Sequence, residues 1–209
     1  MAPSDERRYH FEMILLGTTT SPYTRKVRIL LAASRRPHEF LDTRTDEGAA
    51  LSAKAAPLGK VPVLVRDAPD SPLPDSSLIA RWIWRVAEPA LRQSGWELDP
   101  GDLDDRALQV VVEGALDAAI NHRYLRLDGF SESGYIAKQR HRVDRTLAWL
   151  DARAPRLERP YRGSMLSLGC TLDWLVFREV TELGRWPRLA AFRQAWIDSG
   201  LGAGTEPRE

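Results

Sequence analysis

The sequence predicts an α/β domain followed by an all-α domain. Three observations carry this expectation. Apolar runs of strand length alternate with helical patterns through the first 88 residues. A segment holding Pro89, Gly95, Pro100 and Gly101 then interrupts the pattern. Beyond it the strand signal vanishes, and the apolar residues recur with helical period. The expected layout is a disordered leader over 1–12, an α/β domain over 13–88 and a linker over 89–101. An α-helical domain over 102–200 and a polar, frayed tail over 201–209 complete it.

Met13-Ile14-Leu15-Leu16-Gly17 is a continuous apolar run closed by glycine, as in a strand buried on both faces. Thr18 to Ser21 is a polar turn, and Pro22 suits the first turn of a helix. Val27, Leu30, Leu31 and Ser34 give that helix one apolar or small-residue face. His38 to Leu41 is the second strand, 48–54 a short helix, and Val61 to Val65 a β-branched strand. The segment 67–74 holds a turn and a short edge strand. A helix then starts at Ser76 or Ser77, carrying Leu78, Ile79, Trp82, Ile83 and Val86. In the second half, helical patterns run over Asp102 to Leu127, Ser133 to Ala154, Ser167 to Leu183 and Pro187 to Ile197. The third is very apolar and expected to be central. Core packing is the expectation for Trp82, Trp149 and Trp174.

Bulk properties exclude several classes. Lys and Arg total 30 against 29 for Asp and Glu, a formal charge of +1, and no basic tract points to nucleic acid. No apolar run approaches the ~18 residues that span a bilayer. The charged stretch Met1 to Glu12 lacks the apolar core of a signal peptide. Cys170 is the only cysteine, so no intrachain disulfide forms, which fits a cytoplasmic protein. Arginine far outnumbers lysine and alanine is abundant, a composition that points to a GC-rich bacterial genome. His10, His38, His122 and His141 lack metal-ligand spacing, so no metal is expected.

Three short motifs stand where strand, turn and helix meet. In Thr20-Ser21-Pro22-Tyr23-Thr24-Arg25-Lys26-Val27-Arg28, Ser21 lies at a helix N-terminus, where the dipole favours an anion. A hydroxyl there donates to a bound thiolate and lowers the thiol pKa from its reference of about 8.5. The plainer reading is an N-cap. In Pro57-Leu58-Gly59-Lys60-Val61-Pro62-Val63-Leu64, a proline between β-branched residues is awkward in a strand. A cis Val61–Pro62 bond turns the Val61 backbone toward an extended peptide; the alternative is a trans proline on an edge strand. In Pro74-Asp75-Ser76-Ser77-Leu78-Ile79-Ala80, the helix start suits a carboxylate, and Asp75 suits an ammonium group. Capping again explains the same residues. Jointly the three outline a pocket for a small, charged, peptide-like thiol.

These segments, in this order, resemble the soluble glutathione S-transferases over nearly the whole chain. The Ser21 segment looks like the active-site motif of serine-type bacterial and plant members, with tau, zeta and omega-like character. Gly59 to Leu64 resembles the family's cis-proline segment, and Asp75-Ser76-x-x-Ile79 its glutathione-binding motif. Leu166-Ser167-Leu168-Gly169 resembles the start of the central helix, with Cys170 where the family often has a capping Asp. That helix start must then be satisfied otherwise.

The resemblance implies a thioredoxin-like N-terminal domain and a helical C-terminal domain. It implies that Ser21 steadies the glutathione thiolate and that Val61, with Pro62 cis, pairs with the cysteinyl backbone. Asp75 takes the γ-glutamyl amine and Ser76 its carboxylate, while Lys60 either meets the glycyl carboxylate or is a solvated lysine. Tyr23, His122 and Tyr124 are candidates for the acceptor site. The implied activity is conjugation of glutathione to a soft hydrophobic electrophile, as in detoxification, by a cytoplasmic homodimer that needs no metal. A non-catalytic protein-binding module and a glutathione-dependent thiol or peroxide reductase are the alternatives.

Overall fold

The computed structural model describes residues 13–67, 70–130 and 133–209. The expected leader, 1–12, lies outside them. Four strands and seven α-helices make up the described residues. The first half runs β1 (Met13–Gly17), α1 (Pro22–Ser34), β2 (Glu39–Asp42), α2 (Asp46–Ala55), β3 (Val63–Arg66), β4 (Leu73–Pro74) and α3 (Ser76–Gln93). The strands form one mixed sheet in the order β2-β1-β3-β4, with β1 parallel to β2 and antiparallel to β3. This is the expected thioredoxin-like arrangement.

Strand β1 is buried on both faces, which is why its sequence is a continuous apolar run. Leu15 joins the core shared with α1 and α3, while Ile14 and Leu16 pack on the opposite side with Leu41, Ala56 and Val63. Val27, Leu30, Leu31 and Ser34 of α1 are all buried, as their spacing predicts. A side chain at Gly17 would collide with Thr24, so this glycine lets α1 fold back closely against the strand it leaves.

Two expected boundaries move. Strand β3 starts after Pro62, not at Val61. Helix α3 continues through Pro89 to Gln93, so the proline lies inside the helix and not in a linker. Ala87 leaves helical geometry (φ −140°, ψ 21°), and this kink places Pro89 close to the start of the continuing turns.

The second half is α4 (Leu103–Leu127), α5 (Gly134–Ala152), α6 (Gly163–Phe177) and α7 (Pro187–Asp198), with a short 3₁₀ turn at Leu183–Arg185. Helix α6 is central as expected, with every residue from Gly163 to Leu175 buried. Gly169 faces the Trp196 ring so closely that a methyl group has no room there. The helix spans 163–177, not 167–183, and Ser167 sits inside it. Its first turn is satisfied across the bundle: the Ser164 N–H donates to Asp105 Oδ1 of α4 at 3.1 Å, and the Ser164 hydroxyl donates to the same oxygen at 2.5 Å. The missing local cap is thus replaced by a carboxylate distant in sequence.

Trp174 is buried, Trp82 is partly buried beneath the Arg36 and Arg66 guanidinium groups, and Trp149 is 40% exposed, contrary to the core expectation. The tail is tied down rather than frayed. Arg25 donates to Thr205 Oγ1 at 3.2 Å, Arg28 to the Gly204 carbonyl at 3.3 Å, and Thr19 to the Arg208 carbonyl at 2.8 Å, while Arg178 pairs with Glu209. No helix among the described residues is long and apolar enough to cross a membrane.

Candidate functional site

The strand register explains why three motifs so far apart in sequence share one place. Leu16 at the exit of β1 pairs with Val63 at the start of β3, and Val63 pairs with Pro74 of β4. The turn before Ser21, the Val61–Pro62 peptide and Asp75–Ser76 therefore all lie at the same end of the sheet. The Val61–Pro62 bond is cis.

Ser21 caps α1: its Oγ accepts from the Thr24 N–H at 3.2 Å. This is the ordinary capping reading, and it is compatible with a second task. The bond uses a lone pair, and among the described residues the Ser21 hydroxyl donates to nothing. Its proton stays available to an incoming anion beside the positive end of α1.

Asp75 caps α3 in the same fashion. Its Oδ1 accepts from the Ser77 and Leu78 N–H groups at 2.8 and 2.9 Å. Its backbone sits at φ 74°, in the left-handed region that side chains other than glycine rarely adopt. Such a conformation costs on the order of 1–3 kcal/mol and persists only where surrounding contacts enforce it. Oδ2 is uncommitted among the described residues. Ser76 is buried, and Lys60 is exposed at the rim.

Tyr23 turns away from Ser21's task. Its hydroxyl donates to Asp117 Oδ1 of α4 at 2.6 Å. Burial, then the Asp117 hydrogen bond and charge, then Glu113 and Asp75, push the phenol far above its ordinary pKa. Tyr23 is therefore a neutral donor already engaged with a carboxylate, and it closes the gap between α1 and α4. His122 and Tyr124 lie farther along α4. Tyr124 is 61% exposed, and His122 lines a groove formed only by helical-half residues.

Behind the site is a polar cluster that joins motif residues Lys26, Ser77 and Ser167 to Gln109 and Glu113 of α4, a pairing that no local pattern announced. Lys26 Nζ, 3% exposed, contacts Glu113 Oε1 at 2.5 Å and Ser77 Oγ at 3.1 Å. Gln109 and Ser167 also donate to Glu113, at 3.0 Å each. Burial raises the Glu113 pKa, but the Lys26 charge and the hydrogen bonds from Lys26, Gln109 and Ser167 outweigh it. The carboxyl ends below its ordinary range. Ser77 follows Ser76 directly, so this cluster fixes the α3 N-terminus against both α1 and α4. A second buried node joins α1, α6 and α7: Asp173 accepts from Arg25 at 2.5 Å, Arg193 at 2.7 Å and Trp196 at 3.2 Å. A periodicity reading treats Lys26 and Glu113 as solvated positions, because nothing local marks their partners.

Cys170 is buried, and burial pushes its thiol up to about 12. Among the described residues, no group of three or more His, Cys, Asp or Glu is placed to hold a metal ion.

The sequence and the fold meet counterparts among known proteins. Residues 15–90 match the glutathione S-transferase N-terminal domain family. The uncharacterized GST-like protein YibF of Escherichia coli is 28% identical over 178 residues, covering 80% of this chain and 84% of its own. Glutathione S-transferase U17 of Arabidopsis thaliana is 27% identical over 185 residues, with 81% and 74% covered. In fold, the chain is similar to a glutathione S-transferase from Methylobacterium radiotolerans solved in complex with glutathione sulfonate. That match has a TM-score of 0.77 at 24% identity, covering 94% of this chain and 95% of the other. A glutathione S-transferase from Methylobacillus flagellatus with glutathione bound gives 0.73 at 24% identity, with 94% and 100% covered. The matched N-terminal domain and the shared two-part fold agree: residues 15–90 match the glutathione S-transferase N-terminal domain family, and the chain has the glutathione S-transferase fold.

Proposed function

We propose that this protein is a glutathione transferase whose nucleophile is the glutathione thiolate. The observation that carries the reading is the meeting of two capped helix N-termini and the cis Val61–Pro62 peptide at one end of the sheet. Such a place suits a zwitterionic tripeptide. Asp75 Oδ2 takes the γ-glutamyl ammonium, and the first turn of α3 with Ser76 takes the adjacent carboxylate. The Val61 backbone pairs with the cysteinyl unit. Lys60 serves the glycyl carboxylate.

Ser21 then donates a hydrogen bond to the sulfur, and the thiol's own proton leaves to water. The donor stabilises the anion and raises the thiolate fraction at neutral pH. The thiolate attacks an electrophilic carbon and a C–S bond forms. A halide departs with its electron pair, or, with an epoxide or activated alkene, the developing anion takes a proton from water. Tyr23 and the α4 face that carries Asp117 border the space for the acceptor. A cytoplasmic bacterial homodimer acting in detoxification completes the proposal, and light scattering on purified protein tests the dimer.

Calorimetric titration of reduced glutathione is the test of the binding half. Saturable heat at up to millimolar ligand is expected. Turnover of a generic aryl halide tests the chemical half. Binding without turnover supports a non-catalytic module instead, and no binding at all refutes the reading.

A further inference from the structure

The helical half carries a second concave site, separate from the three motifs. It encloses about 1280 Å³ between the C-terminal half of α4, α5, the end of α6 and α7, and no residue of the sheet-bearing half lines it. His122 stands about two and a half turns beyond Glu113 at 3.6 residues per turn, so the two lie on opposite sides of α4. The groove thus faces away from the Lys26–Glu113 cluster.

Its charge is one-sided. Six arginines line it against three acids. Arg178, Arg185 and Arg193 are spent on Glu209, Asp144 and Asp173. Arg123, Arg126 and Arg140 have no ion-pair or hydrogen-bond partner among the described residues. Arg123 and Arg126 are one turn apart on α4, where like charges repel. The field is felt by His122, whose pKa is lowered by burial and by the charges of Arg126 and Arg140. Between the arginines the wall is apolar, with Leu127, Val143, Val176 and Val180.

We infer that this groove binds a phosphorylated small organic ligand, with Arg123, Arg126 and Arg140 on the phosphate and the valine-rich wall on the organic body. A carboxylate offers two oxygens and one charge, too few for three guanidinium forks. A phosphate monoester offers three terminal oxygens and nearly two charges, matching bidentate arginine donors. The inference is independent of the glutathione reading, since it uses none of those residues.

The test is calorimetric titration of the full-length protein with phenyl phosphate, benzoate and inorganic phosphate. Phenyl phosphate is expected to bind saturably, at least about tenfold tighter than benzoate, as expected for a second charge-assisted bond. It is also expected to bind tighter than inorganic phosphate, and more weakly as salt rises. Arg126→Gln and Arg140→Gln are surface changes that leave folding intact; each is expected to weaken phenyl phosphate about tenfold. Circular dichroism checks the fold of each variant. Absence of saturable binding, equal affinity for benzoate, or binding that survives the double variant overturns the inference.

Discussion

Replacing Glu113 by leucine removes one half of the ion pair that joins α1 to α4. Lys26 is then left with its ammonium buried, 3% exposed, and only Ser77 as a close acceptor. Breaking a buried pair by deleting one partner costs roughly 3–5 kcal/mol, most of it the uncompensated charge. Glu113 retains 22% exposure, so some water reaches the pair and about 3 kcal/mol is the reasoned value. At about 2–4 °C per kcal/mol for a domain of this size, the melting midpoint should fall by roughly 6–12 °C. Differential scanning calorimetry at neutral pH measures it. The double variant Lys26→Met with Glu113→Leu removes both charges and should recover most of the loss, since apolar replacement of a buried pair is often neutral. A fall below about 2 °C in the single variant, or no recovery in the double, refutes the claim that this pair locks the two halves.

Other consequences follow from the same geometry. The folded Glu113 carboxyl titrates below the unfolded reference of about 4.3. Its contribution is therefore complete above that pH and is lost as pH falls through the folded value. Acid titration of stability should show this loss in the wild type and not in Glu113→Leu. Asp105→Ala uncaps α6 across the bundle and should cost about 1–2 kcal/mol, read by urea denaturation. Asn in that position should restore part of it. Cys170, with its thiol pushed up to about 12 by burial, should resist a thiol-specific disulfide reagent in the native protein and react once unfolded. Rapid native labelling contradicts the buried placement.

What was legible in the sequence was mostly local. The apolar run of β1, the Pro22 helix start, the α1 core face and the cis-proline segment all follow from short-range pattern and resemblance. Long-range satisfaction was not legible. The α6 start is held by Asp105 rather than by a neighbouring cap, so the pattern placed it at Ser167. Residues 201–209 look polar and loose, yet Arg25, Arg28 and Thr19 hold their backbone or side chains. Pro89 signals a break, but the irregular Ala87 lets the helix run past it. In the site, Ser21 and Asp75 were visible because their capping role and their proposed binding role use the same residue types. Glu113, Asp117 and Asp173 were invisible, and Lys26 was visible in its motif but not as half of an ion pair, because a buried charge is recognised only by its partner.

The most direct measurement is the ultraviolet titration of the glutathione thiol in complex with the wild type and with Ser21→Ala. In the wild type the bound thiol should ionise well below the reference of about 8.5, and in the variant it should return toward that value. Loss of the Thr24 cap alone costs about 1 kcal/mol of stability, a separate and smaller readout. If the bound thiol titrates alike in both proteins, the Ser21 hydroxyl does not steady the sulfur and the account is wrong.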